Sequence, residues 1–248
     1  MNFLIKNELT IIEKRIVELS KNNVIRLWPA YSKCVISKKL LVEYLAEKKL
    51  ELWKVEGENV SGKLNSIKKV IRNAYGRGCT ANCIHTPLDS YEAEWQYKII
   101  NKTDDKEFYF DTNNIHDGLF GKILDFSNDE IERAVNGALI SHWTMNEPEK
   151  LIWNNNTKNK QQVILKLVDQ MKVSMDYVAS VLLELFGDNY SLNEIIKIIL
   201  DVDEYGERGI IVTDLDNATK LKKSLIEDYK LDVSIEKIIP FAKEKYTN

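Results

Sequence analysis

The sequence predicts a mainly α-helical protein, an irregular multi-helix bundle with one or two short strands. Only 10 of the 248 residues are glycine and 4 are proline, whereas sandwiches and barrels need many turns that are rich in both. Apolar residues recur every three or four positions along much of the chain, which is the spacing of one helix face. Two Ser-x-x-Glu capping boxes also mark helix starts.

The N-terminal hundred residues are predicted to form three helices. The first carries an apolar stripe made of Ile5, Leu9, Ile12, Ile16 and Leu19. The second is expected over residues 37–53, ended by Gly57, and the third over residues 63–75, ended by Gly76. Residues 101–121 lose this periodicity, which predicts a long connection with one short strand at 107–110.

The C-terminal half is predicted to be helical with one further strand. The capping box at Ser127 opens a helix that ends before Pro148, and the box at Ser191 opens a helix through Leu200. Between them, one long helix is expected on an apolar stripe: Val163, Leu167, Met171, Met175, Val178, Leu182 and Leu185. Residues 209–213 are expected to form a short strand, followed by two terminal helices, the last kinked at Pro240.

The charges suggest a division into subdomains. Residues 1–85 hold 16 Lys and Arg against 8 Asp and Glu, whereas residues 86–132 hold 4 against 12. We therefore expect a basic helical subdomain over residues 1–102, an acidic connection over 103–126 and a helical subdomain over 127–248, with one continuous domain as the alternative. Charge blocks of this kind are usually solvated, or face each other.

The sequence favours a cytoplasmic protein that does not use a membrane as a partner. The N-terminus becomes polar within a few residues, so it lacks the core of a signal peptide. No apolar run approaches the roughly 18 residues needed to cross a bilayer. Three cysteines cannot all pair, which suits a reducing compartment.

Two motifs have some of the features of metal sites. Residues 201–206 have the opening spacing of a calcium-binding loop, but the twelfth position, where the loop needs a glutamate, is Val212. Zinc-ligating residue types occur at Cys79, Cys83, His85 and His116, but their spacing is not that of two paired ligand sets. We therefore expect no metal and no cofactor, and interpret these segments as an acidic turn and a packed cysteine turn.

The segment 210–217 resembles the first motif of the haloacid dehalogenase phosphatases. The resemblance would make Asp214 the nucleophile and Asp216 the acid/base. Only 32 residues follow Asp216 in the 248-residue chain, too few for the parallel sheet of that family, so two aspartates at a helix N-terminus are favoured. His142 lies on the apolar face of its helix and is expected to be a core histidine. We assign no catalytic residue.

These exclusions favour a non-enzymatic protein that binds another protein through an acidic surface. In its specific form this is a toxin-neutralising immunity protein, with a basic toxin or a nuclease as the partner. Electrostatic complementarity would speed that encounter and set its specificity. The proposed partner-binding residues are Asp104, Asp105, Glu107, Tyr109, Asp111 and Asp117.

Two alternatives belong to other classes. The acidic residues could hold Mg²⁺ in an enzyme that acts on a phosphorylated or nucleic-acid substrate. The basic N-terminal third could instead belong to a nucleic-acid-binding regulator, through phosphate contacts and base stacking beside Tyr75. The residues for that role are Lys63, Lys68, Lys69, Arg72 and Arg77. The pI of about 5.8 argues against general nucleic-acid affinity.

Overall fold

The structure is a computed structural model. It describes residues 4, 8–32, 34–76, 78, 82–101, 126–144, 150–153, 161–170 and 173–238. The chain divides into two compact units, Met1–Ile115 (unit 1) and His116–Asn248 (unit 2). Of the described residues, 56% are helical and 22% lie in strands, which form two sheets. The predicted mainly α fold with one or two short strands is therefore wrong. No described helix has the length and apolar character that crossing a membrane requires.

Within its described residues, unit 1 combines a two-stranded antiparallel sheet with five helices. Its elements are β1 (Thr10–Glu18), α1 (Lys21–Leu27), α2 (Pro29–Ser32), α3 (Val35–Leu45), β2 (Lys49–Glu56), α4 (Val60–Tyr75) and α5 (Ser90–Ile100). The two strands pair over their whole length, from Thr10 opposite Glu56 to Glu18 opposite Lys49.

Strand β1 replaces the first predicted helix. Its side chains alternate between exposed and partly buried along all nine residues, which is the period of a strand. On the partly buried side, Glu13 accepts a hydrogen bond of 2.8 Å from the Tyr97 hydroxyl, and Arg15 donates to the Asn101 side chain. Because these two inner residues are charged, hydrophobicity alone does not reveal the alternation. Ile12 and Ile16, expected on a buried stripe, are exposed.

The second predicted helix is correct only as far as Leu45. Ala46 caps α3, and Glu47 then has a positive φ of 58°, a left-handed conformation that does not continue a helix. The chain enters β2 two residues later. The third predicted helix is confirmed, because α4 ends at Tyr75 with Gly76 as its C-cap.

Apolar side chains form two clusters in unit 1. The first joins α1, α3 and α5 through Leu19, Val24, Leu27, Leu41, Ala46, Trp95 and Ile99. The second places Ile67 of α4 against Leu4 and Leu9, with Trp53 and Val55 of β2 packed beside them. The ribbon of β1 and β2 thereby obtains the packing partners that an isolated two-stranded sheet needs for stability.

Within its described residues, unit 2 combines a four-stranded sheet with four helices. Its elements are α6 (Asn128–Thr144), β3 (Ile152–Trp153), β4 (Gln162–Val168), α7 (Met175–Phe186), α8 (Leu192–Tyr205), β5 (Glu207–Asp214), α9 (Leu215–Glu227) and β6 (Val233–Lys237). The strand order is β3-β5-β4-β6. β4 is antiparallel to both of its neighbours, and β3 is parallel to β5. Helices α6 and α7 pack against α8, and α9 packs against β4 and β6.

The long helix predicted over residues 163–185 divides into β4 and α7. β4 is a central strand, and Val163, Ile164, Leu165 and Leu167 are all buried. A strand covered on both faces has a continuous apolar sequence, which periodicity does not distinguish from a buried helix. The two predicted terminal helices are corrected in part, because α9 is followed by strand β6 over Val233–Lys237. The kink predicted at Pro240 lies outside the described residues.

Two helix starts and one strand that were predicted from neighbouring residues are confirmed. Ser127 and Glu130 close each other's backbone amides at the start of α6, and Ser191 and Glu194 form a full capping box at the start of α8. The strand expected over residues 209–213 lies within β5. A serine oxygen accepts a hydrogen bond from a backbone amide only a few residues away. These helix starts can therefore be predicted without knowledge of the tertiary structure.

Candidate functional site

The proposed partner-binding residues Asp104, Asp105, Glu107, Tyr109, Asp111 and Asp117 all lie outside the described residues. The same holds for the expected short strand at 107–110. Their role therefore stays a prediction from sequence.

The basic residues proposed for nucleic-acid binding are brought together on α4, but most of them contact protein. Lys63 forms a 3.6 Å ion pair with Glu8. Lys68 donates a hydrogen bond of 3.3 Å to the carbonyl of Thr86, and burial together with nearby Arg72 lowers its pKa. Lys69 is exposed, and Arg77 lies outside the described residues.

Arg72 makes the most specific of these contacts. Its Nε donates to the Ile84 carbonyl at 3.0 Å, and an Nη donates to Oδ1 of Asn82 at 3.1 Å. The guanidinium thus holds the segment 82–86 against α4 with its planar fork, a geometry that lysine lacks. Because the guanidinium is engaged within the chain, this arrangement weakens the nucleic-acid alternative.

The Cys–His turn is described only in part, since Cys79 and His116 lie outside the described residues. Cys83 is exposed, so the expectation of a packed turn is not met at this cysteine. His85 contacts Oε1 of Gln96 through Nε2 at 3.0 Å and packs edge-on against Trp28. Desolvation of the ring lowers its pKa, and the Gln96 contact acts in the opposite direction. The described residues contain no group of three His, Cys, Asp or Glu placed to hold a metal ion.

Asp214 is a helix cap, as the alternative to the phosphatase resemblance predicted. It ends β5 and precedes α9, and its carboxylate accepts hydrogen bonds from the backbone amide of Asn217 at 2.9 Å and from the side-chain amide at 2.8 Å. The residue is buried. Its strand pairs antiparallel with β4 and parallel with the two-residue β3, so the described strands do not form the fully parallel sheet of the phosphatase family.

A buried ionic cluster in unit 2 joins α6, α8 and β5. His142 of α6 lies with Nδ1 2.8 Å from Oδ1 of Asp201 and Nε2 2.7 Å from Oε2 of Glu204. The other oxygen of Asp201 is 3.2 Å from Lys197 and 3.3 Å from Nε of Arg208. His142 and Asp201 are each 5% exposed, so the expectation of a core histidine is confirmed.

The electrostatics of the cluster centre on Asp201. Burial alone would raise the pKa of this carboxyl, but the hydrogen bond with His142 and the charges of Lys197 and Arg208 outweigh it, so the pKa is lowered. Such a pair is stable only while each charge keeps its partners. The expected acidic turn at residues 201–206 is therefore wrong: Asp201 lies in α8 with a structural role.

Sequence reasoning missed this cluster because its members are far apart. His142 and Asp201 are separated by 59 positions, and charged residues are taken as surface unless a partner is visible. The one local signal is the four-residue spacing of Lys197 and Asp201, typical of a helix surface pair. With side chains almost closed to solvent, the cluster can fix three elements to one another but does not offer an open face to a substrate.

Three large apolar side chains are exposed on the two helices that this cluster joins, and we call them the apolar end: Ile140 and Trp143 of α6 and Tyr205 of α8. Ile140 and Trp143 are three residues apart and so share one face of α6. Tyr205 is the last residue of α8, and its ring centroid is 6.5 Å from that of His142. Their exposed fractions are 65%, 39% and 55%. Large exposed aromatic and aliphatic side chains are of the type that binding faces use.

Unit 1 has a shallow depression lined by Val24, Ile25, Trp28, Tyr31, Lys38, Leu41 and Val42. Its cavity volume is about 10 Å³, far below the roughly 300 Å³ at which small-molecule pockets begin. Comparison with protein-family models, with curated proteins and with solved structures finds no match to this chain.

Proposed function

We propose that the chain is a non-enzymatic protein-binding protein, and that the apolar end of unit 2 is part of its contact surface. The observation that carries this proposal is the exposure of Ile140, Trp143 and Tyr205 on the two helices that the buried ionic cluster joins. Tryptophan and tyrosine are enriched in protein interfaces and dominate their binding free energy. The buried cluster supports the surface by fixing α6 to α8, so its aromatic rings need little ordering when a partner binds.

The side chains that could take part in catalysis make contacts within the fold, which supports a binding role. His142 lies between two carboxylates, Asp214 caps α9, and Arg72 holds the segment 82–86. Each of these contacts has an evident structural consequence.

The charge distribution favours a basic partner. The 12 acidic residues against 4 basic ones in residues 86–132 would attract a positively charged protein and accelerate the encounter. A toxin or nuclease with a basic active site has that character, and neutralising it is the specific form of the proposal. The residues proposed for this contact are Asp104, Asp105, Glu107, Tyr109, Asp111 and Asp117.

The test is capture of a partner from the native host by the full chain, compared with two variants. Trp143→Ala should weaken capture at least about tenfold, as removal of an aromatic anchor does. Reversal of Asp104, Asp105 and Glu107 to Lys should slow association, and the loss should diminish at high salt. The matched controls are Tyr75→Ala, an exposed tyrosine of unit 1, and reversal of the exposed Glu56, Glu58 and Asp188 to Lys.

Several results would contradict the proposal. If the variants and their controls capture the same proteins equally well, neither surface binds a partner. If the wild-type chain cleaves a panel of phosphoesters with Mg²⁺ and the charge-reversed variant does not, the acidic segment belongs to an enzyme.

A further inference from the structure

Strand β1 has one open edge in the part of the chain that the structure describes. It pairs with β2 and with no other described strand. Outside this ladder, no described backbone group hydrogen-bonds to residues 10–18. An unpaired strand edge is a template for a further strand, and natural proteins either protect such edges or use them for association.

The exposed face of β1 carries two isoleucines, Ile12 and Ile16, among Thr10, Lys14 and Glu18. The exposed positions alternate strictly along the strand, and among them Ile12 is 47% and Ile16 59% exposed. Lys14 lies between them, 3.2 Å from Glu51 and 4.9 Å from the centroid of the Trp53 ring. The strand adds one residue as a bulge between Ile11 and Glu13, but the alternation of exposure continues through it.

The sequence of β1 is complementary to itself when two copies run antiparallel about Lys14. In this register Ile12 lies opposite Ile16 of the second copy, Ile11 opposite Val17, and Glu13 opposite Arg15. Apolar residues then face apolar residues, and opposite charges face each other on the other side of the sheet, which are the pairs that stabilise strands. Moving the two-fold axis by one residue in either direction places an isoleucine opposite Lys14.

The same register also matches the alternation of side chains. A two-fold axis through one residue pairs even-numbered positions with even-numbered positions, so the exposed side chains of the two copies lie on one face of the joined sheet. The two Lys14 side chains meet on the axis, and each has the carboxylate of Glu51 beside it within its own chain.

We infer that β1 pairs with β1 of a second copy of this chain, forming a homodimer with one continuous four-stranded sheet in the order β2-β1-β1-β2. The contact is isologous, so every pair occurs twice and each substitution acts twice. This inference is independent of the apolar end, which belongs to unit 2.

The test uses two complementary substitutions on the exposed face. Ile12→Lys places a charge opposite Ile16, and Ile16→Glu places one opposite Ile12, so each should weaken the homodimer at least about tenfold because the change is doubled by symmetry. In an equimolar mixture the introduced lysine of one variant faces the introduced glutamate of the other, while the remaining isoleucines still face each other. Native mass spectrometry should then show the heterodimer in excess of its statistical share.

Ile226→Lys is the matched control, because it places the same charge at an exposed isoleucine of α9, outside both β1 and the apolar end. It should leave the dimer intact in sedimentation equilibrium, and unfolding curves of all variants should confirm that they are folded. A wild-type chain that remains monomeric at ~100 µM, far above the Kd of a stable dimer, would overturn the inference. So would a dimer that Ile226→Lys disrupts and Ile12→Lys does not, or a mixture that forms no excess heterodimer.

Discussion

The imidazole of His142 and the carboxylate of Asp201 lie 2.8 Å apart and link α6 to α8 across 59 positions of the chain. Neither residue is near the other in sequence, and both are almost closed to solvent. Because Lys197 and Arg208 contact the second oxygen of Asp201, this carboxylate joins two helices and a strand.

We expect His142→Leu to destabilise the protein by about 3 kcal/mol. The substitution removes a hydrogen-bond partner of a buried carboxylate and leaves Glu204 facing an apolar group. Leaving a buried group without its partner costs about 1–3 kcal/mol, and more where the group is charged. Chemical denaturation would measure the loss. The control Ile140→Ala changes an exposed residue of the same helix and should alter stability by less than about 0.5 kcal/mol. Equal effects of the two changes would show that the cluster contributes nothing specific.

Two aspartates of unit 2 should respond to charge removal with opposite signs. The pKa of Asp201 is lowered, so its charge stabilises the fold above the ordinary pKa of 3.8, and this contribution is lost as pH falls through the lower folded value. Asp201→Asn should therefore lower the Tm at pH 7, and its difference from wild type should shrink below pH 3.8.

For Asp169 the direction is reversed, because partial desolvation of its carboxyl and the nearby Asp203 raise its pKa. The stability that Asp169 contributes is fully present below its ordinary pKa and is lost as pH rises through the folded-state pKa. The charged carboxylate therefore opposes folding at pH 7. Asp169→Asn should raise the Tm at pH 7 by a small amount, since the side chain is exposed and solvent screens it. Thermal melts from pH 3 to pH 7 would check both signs, and shifts in the same direction for the two variants would contradict this assignment.

We expect Asp214 to stabilise the protein as the N-cap of α9 and to have no catalytic role. Asp214→Ala removes the acceptor of the Asn217 amide and should cost about 1–2 kcal/mol, whereas Asp214→Asn keeps a good cap and should cost less. Asp216→Ala is the comparison, because Asp216 lies in the first turn of α9 without serving as its cap. Urea unfolding would rank the three variants. Phosphatase activity that disappears in both Asp214 variants would instead support the dehalogenase-type role.

The elements that could be predicted from the sequence are those set by neighbouring residues. Ser127 and Ser191 cap their helices through partners three residues away, and Gly76 ends α4 locally. The strands depend on distant residues: β1 has charged inner residues because Tyr97 and Asn101 bond to them, and β4 has apolar residues on both faces because it is central in its sheet. The buried cluster likewise needs the folded chain to bring His142 to Asp201, so spacing alone could not reveal it.

Substitutions of Arg72 can separate the effect of its charge from the effect of its planar geometry. Its guanidinium contacts the Ile84 carbonyl and the Asn82 side chain at once, which a lysine ammonium cannot reproduce as a planar fork. Hydrogen bonds from a charged donor contribute about 1.5–3 kcal/mol, so Arg72→Ala should accelerate amide hydrogen exchange in residues 82–86 roughly tenfold or more. Arg72→Lys should recover only part of the protection although it keeps the charge. Lys69→Ala is the matched control, because Lys69 is an exposed cation of the same helix, and it should leave the exchange unchanged. Mass spectrometry of the peptide that covers residues 82–88 would follow all three variants.

Full protection in Arg72→Lys would mean that charge alone holds the segment. If instead all three variants keep this protection and lose affinity for a single-stranded oligonucleotide, α4 binds nucleic acid and the structural role assigned to Arg72 is wrong.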